Sequence, residues 1–233
     1  MHGAGIDAHA AVPLSLAIVG AASLYGAVVN ARQGNVAGTA ALMVGSGGIV
    51  GSRLGAALSP AVPDHLLLVI FALIMAVAGI FMWRRSNAPS SGRPGRADDP
   101  PLRRAALRLL PIGLAIGVLT GLLGVGGGFL IVPALTLAAG LDMKRATGTS
   151  LAVIVVNSAA GLWGHAQGGR IHFEDAAVFV VMAILGMAVG LRLARHLPAR
   201  RLQQTFAVGV LVMAAVIGPL NLSRLLAAAG GPH

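Results

Sequence analysis

Long apolar stretches separated by short polar breaks make up most of this chain. A membrane span needs about 20 mainly apolar residues. Eight stretches approach or reach that length: 11–31, 37–59, 64–84, 105–124, 127–141, 146–166, 173–195 and 201–226. The segment 127–141 is short; at 1.5 Å per residue it covers roughly 22 Å of a core about 30 Å thick. Residues 85–104 interrupt the pattern with Arg, Ser, Pro, Gly and Asp, the composition of a flexible linker. The pattern therefore predicts an all-α integral membrane protein with seven or eight transmembrane helices, one of them broken or short. Residues 1–84 and 105–233 form its two halves, joined by the linker 85–104.

The halves resemble one another. Set beside residues 136–171 without a gap, residues 1–36 match at eleven positions, among them Asp7/Asp142, Ser15/Ser150, Leu16/Leu151, Ser23/Ser158 and Gly26/Gly161. Further on, Gly51-Ser52-Arg53-Leu54 matches Gly190-Leu191-Arg192-Leu193 after a small insertion. An internal duplication, with the repeats inverted in the membrane, is the expectation. On this reading the first repeat is N-terminally incomplete: nothing in it corresponds to residues 105–135. The expectation is a start codon upstream of Met1, which an in-frame apolar, glycine-rich coding stretch would support; the alternative is a naturally shortened member, which an immediate upstream stop codon would indicate.

Composition agrees with the pattern. Hydrophobic residues are 56% of the chain and charged residues 10%, against about 25% charged in ordinary soluble domains. Mean hydropathy is +0.84. The formal net charge of +10 suggests orientation rather than nucleic-acid binding, because no basic groove interleaved with aromatics is present. If every helix spans, only Arg53, Arg170 and Arg224 of the 17 Lys and Arg residues fall on the side opposite the linker. The positive-inside rule then places the linker in the cytoplasm. No basic n-region with an h-region and cleavage site stands at the N-terminus. No cofactor or metal centre is expected: there are no cysteines and no His-x-x-x-His or Glu-x-x-His set.

The segment with the most chemistry is Gly121-Leu122-Leu123-Gly124-Val125-Gly126-Gly127-Gly128-Phe129-Leu130-Ile131-Val132-Pro133. Glycine costs about 1 kcal/mol relative to alanine inside a helix, so three in succession should break one. Broken backbone inside a membrane must be satisfied by protein, water or ligand. The helix that follows would offer free N–H groups and a positive dipole end, a site for an anion. Gly124, Gly126, Gly127, Gly128 and Phe129 are the candidate binding segment, although the same glycines would also suit close helix packing. A dinucleotide site is not expected, because no strand precedes the run. Thr149 and Ser150 open the next helix as hydroxyl donors to the anion or as its N-cap, with Ser15 as the repeat counterpart. Asn157 is either a ligand contact or an interhelical hydrogen bond. His165 is a candidate proton relay or an interfacial polar group. Asp7 and Asp142 are read as helix caps.

This run, followed by Ala146-Thr147-Gly148-Thr149-Ser150-Leu151 and by Gly161-x-x-x-His165 and Gly169-x-Ile171, resembles the TauE/SafE family of sulfite exporters. The resemblance extends over nearly the whole chain; its departure is the absent first-repeat glycine segment. It implies a secondary transporter, not an enzyme, in the bacterial inner membrane. The substrate would be a small inorganic or organosulfur anion such as sulfite, thiosulfate or a sulfonate, with a proton or sodium as candidate coupling ion. The pattern selects no oligomeric state. The other classes are a passive anion channel or accessory subunit of a membrane complex, and a membrane-embedded enzyme; the latter would need an acid–base or metal cluster.

Overall fold

The computed structural model describes residues 8–59, 63–87, 102–123, 128–166 and 173–229. Among them there are eight helices and no strand: α1 Ala8–Arg32, α2 Gly38–Leu58, α3 Asp64–Asn87, α4 Leu102–Leu123, α5 Gly128–Leu137, α6 Met143–Ala166, α7 Phe173–His196 and α8 Ala199–Ala229. All eight expected helices form. The linker lies outside the described residues apart from its two ends.

Six helices (α1, α2, α3, α6, α7 and α8) are long and apolar enough to cross a membrane. The apolar part of α4 is only Leu109–Leu122, because Arg103, Arg104 and Arg108 occupy its first two turns. Helix α5 has 10 residues, roughly 15 Å of axis. It stops short of the expected residue 141 because Gly140 takes a left-handed φ of +70° and the Leu141 amide folds back to the Leu135 carbonyl at 3.1 Å. Helix α6 starts earlier than expected, at Met143, because the Asp142 carboxylate accepts the Arg145 amide at 2.7 Å and so caps the first turn.

Large apolar side chains cover the outside. Trp163, Leu42, Val178 and Leu73 are each at least 64% exposed, a surface that lipid solvates and water does not. Small and hydroxyl side chains lie inside, with Ser23, Asn30, Thr136, Thr149, Ser150 and Ser158 all buried. Two of these hydroxyls bond a carbonyl one turn back in their own helix, Thr136 to Val132 and Ser150 to Thr147. That satisfies them without water.

Glycines set the helix pairing. Helix α1 packs on α6, α2 on α4 and α6, α3 on α8, and α7 on the outer side of α1, while α5 touches α3, α4 and α6. A Cβ on Gly26 would meet Leu151 Cδ1 at 2.9 Å, and one on Gly161 would meet Leu16 Cδ1 at 2.9 Å. These contacts make α1 and α6 antiparallel, and they are reciprocal: Leu16 and Gly26 of α1 align, 135 residues apart, with Leu151 and Gly161 of α6, and each glycine meets the other helix's leucine.

The same spacing of 135 separates the starts of α1 and α6, of α2 and α7, and of α3 and α8. Pro63 and Pro198 precede α3 and α8, and each accepts the amide four residues on, from Leu67 at 3.2 Å and Leu202 at 3.1 Å. The helix starts therefore do not reproduce the insertion expected between Gly51 and Gly190. The unbroken spacing pairs Gly51 with Gly186 and Gly55 with Gly190. A slip of four residues returns to nearly the same helix face, which is why short motif matching there is degenerate.

Candidate functional site

Helix α5 begins halfway along α6. A Cβ on Gly128 would stand 2.6 Å from Ile154 Cδ1, and Ile154 lies near the middle of the Met143–Trp163 span. The first amides of α5 have no partner within their own helix, and they open at mid-depth in the bundle. One turn further along α6 is Asn157. Its Oδ1 is buried and has no hydrogen-bond partner. The Asn157 amide faces α2, where a Cβ on Gly48 would lie 3.4 Å from Nδ2. Glycines on both α2 and α5 thus border the middle of α6, one leaving room beside Asn157 and the other beside Ile154.

The remaining candidates separate into different roles. Thr149 is fully buried, and its Oγ1 accepts the Ala37 amide at 3.0 Å. It thereby satisfies the backbone where α2 begins, and the earlier start of α6 removes it from the N-cap. Ser150 donates to the Thr147 carbonyl at 2.8 Å and lies one turn before Ile154. Ser15 is not brought to Ser150. It is exposed and neighbours Leu16, which packs against Gly161, one turn beyond Asn157, whereas Ser150 neighbours Leu151, against Gly26; the ten-residue step from Leu16 to Gly26 on α1 separates the two serines by about 15 Å. His165 lies in the last turn of α6, and its side chain is outside the described residues. So are the side chain of Phe129 and all of Gly124, Gly126 and Gly127. Asp142 caps as expected, while Asp7 is outside the described residues.

The basic residues gather at one end of the bundle. With its amide oxygen turned towards Arg195, Gln33 accepts from Nη2 at 2.9 Å and Nε at 3.2 Å, tying the end of α1 to the end of α7. Arg200 and Gln204 both donate to Asn87 Oδ1, at 3.3 and 2.9 Å. These bonds bring the end of α3, with Arg84 and Arg85, to the start of α8. Near the start of α6, which meets the start of α2 through Thr149, Arg145 holds Nε and Nη1 buried without a partner. Two buried guanidinium nitrogens lacking an acceptor can receive an anion's oxygen.

Sequence reasoning missed Arg145 and Gly48 as site residues. Arg145 reads as one more orientation charge in the sequence. Gly48 only adjoins a usable signal: Gly47, Gly51 and Gly55 recur every four residues, as do Gly113, Gly117 and Gly121, and two such stripes mark helices meeting at their backbones.

A glycine-packed bundle of apolar helices, with one short helix opening at mid-depth, defines a multi-pass membrane protein of transporter type. The chain belongs to the sulfite exporter TauE/SafE family, whose model matches residues 1–217. It is 28% identical over 210 residues to a probable membrane transporter protein of Xylella fastidiosa strain 9a5c, covering 90% of this chain and 78% of that one. It is 27% identical over 194 residues to the probable membrane transporter protein YdhB of Bacillus subtilis, covering 83% and 78%. An 87-residue stretch is 31% identical to sulfite exporter TauE/SafE family protein 5 of Arabidopsis thaliana, covering 36% and 19%. No solved structure matches the chain.

Proposed function

We propose that this protein is a secondary transporter that moves a small sulfur oxyanion or sulfonate, such as sulfite, across the bacterial inner membrane. The observation that carries the reading is the start of α5 against Ile154, midway along α6 and one turn from the unpartnered Asn157 amide. The first amides of α5, from Gly128 on, replace part of the anion's hydration there, aided by the positive end of that helix. The Asn157 Oδ1 is an acceptor, so it takes a donor brought by the ligand: a protonated oxygen or a bound water. Arg145 and the basic end of the bundle raise the local anion concentration at the entrance. The family membership and the names of its relatives support transport over enzymology.

The two halves act as inverted repeats. The reciprocal Gly26–Leu151 and Leu16–Gly161 contacts are those of a pseudo-two-fold axis perpendicular to two antiparallel helices. For helices that span, such an axis lies in the membrane plane, the arrangement that lets one repeat rock against the other to alternate access. The basic end and the 85–104 linker face the cytoplasm.

Sulfite flux into proteoliposomes tests this, with Gly127→Val and Asn157→Leu measured beside the parent. Expected is saturable flux in the parent that falls at least about tenfold in each variant, the equivalent of one lost charge-assisted contact. Flux that never saturates would replace the transporter with a channel. Saturable flux untouched by either substitution would move the site away from α5.

A further inference from the structure

Among the described residues, the buried side-chain atoms left without a hydrogen bond belong to two residues, Arg145 and Asn157. Both are on α6, twelve residues apart, which is about 18 Å of helix. With Thr149 and Val153 they form a single ridge, spaced four residues at a time. That ridge runs along α2. Thr149 accepts the Ala37 amide where α2 begins. A Cβ on Gly45 would touch Val153 Cγ1 at 4.0 Å, and one on Gly48 would lie 3.4 Å from Asn157 Nδ2. The opposite face of α2 is locked on α4. A Cβ on Gly51 would run into the Leu114 carbonyl and stand 2.9 Å from the Val118 nitrogen, and one on Gly113 would lie 2.8 Å from Val44 Cα. These contacts advance together along both chains, so α2 and α4 run parallel.

Arg145 ends the ridge at the basic end of the bundle. A Cβ on Gly148, three residues on, would run into the Asn35 carbonyl, so the connection between α1 and α2 lies beside it. Asp142, the acid nearest in sequence, accepts the backbone amide of Arg145. Asp64, Glu174 and Asp175 stand in the first turns of α3 and α7, at the other end from Arg84, Arg85 and Arg195.

We propose that Arg145 holds a second binding site for a small oxyanion, at the cytoplasmic end of the seam between α2 and α6 and in series with the Asn157 site. The oxyanion accepts from the orphaned Nε and Nη1. Because both nitrogens are buried within the chain, the ligand is a free ion rather than a lipid headgroup. Thr149 and Val153 are fully buried between the two sites, so an ion at Arg145 waits until α6 parts from α2, the side of α2 that α4 does not hold. The order in series rests on the transport reading above; the anion site itself does not.

Equilibrium dialysis of radiolabelled sulfite against the purified chain in detergent counts the sites. Arg145→Gln should bind one ion fewer per chain than the parent, the affinity of the lost site having dropped at least about tenfold. Arg145→Lys keeps the charge without the planar guanidinium, and should weaken that site severalfold while leaving it countable. Helical content and melting temperature confirm that each variant is folded. An Arg145→Gln chain that binds as many ions as the parent, or Arg145→Lys with unchanged affinities, overturns the proposal. So does a site emptied by phosphatidylglycerol and not by sulfate, which would assign Arg145 to a lipid headgroup. Failure of the transport reading looks different: Asn157→Leu would keep every ion the parent binds, while Arg145→Gln still loses one.

Discussion

Asn157 is the residue where two readings make opposite predictions. An interhelical hydrogen bond would stabilise the bundle, and its loss would lower the melting temperature in detergent. The structure leaves Oδ1 buried and unpartnered, a state that itself costs about 1–3 kcal/mol. Asn157→Leu should therefore raise the melting temperature while transport falls, the trade expected of a site residue. A lowered melting temperature would return Asn157 to a structural role. Glycines divide in the same way. Gly51→Ala pushes a methyl into the α4 backbone and should destabilise by about 1–3 kcal/mol. Gly209→Ala meets nothing within 4 Å and should stabilise by about 0.5–1 kcal/mol. Thermal unfolding of the two variants side by side distinguishes packing glycines from incidental ones.

At the level of elements, α6 does more than its composition suggests. Its own cap at Asp142 fixes its start, and its Thr149 bond to the entry of α2 and its glycines towards α1 hold two other helices in place. Thr149→Val should strand the Ala37 amide in the interior and cost about 1–3 kcal/mol, while Thr149→Ser should restore most of it. If Thr149 served the anion instead, Thr149→Val would change the KM for flux and leave the melting temperature alone. Helix α5 was legible as short, from its length and flanking glycines. Its position was not: nothing in residues 127–141 states that Gly128 will meet Ile154, because that contact depends on a hairpin through Gly140 and on the earlier start of α6.

For the whole molecule, sidedness is the property to measure. On the proposed topology, which sets the basic end in the cytoplasm, a Ser91→Cys probe in the linker should react with impermeant maleimide only when the cytoplasmic face is open. Labelling from the outside would invert the topology. The eight helices, the membrane class and the family motif all follow from the sequence alone, since long apolar runs, glycine breaks and charge asymmetry are local or compositional signals. Pairing does not follow. That α2 runs parallel to α4, that Gly26 and Gly161 receive each other's leucines, and that Thr149 serves α2 were decided by tertiary structure. A glycine reads identically in sequence whether a backbone, a leucine or lipid lies opposite it, and only the packed bundle supplies the neighbour.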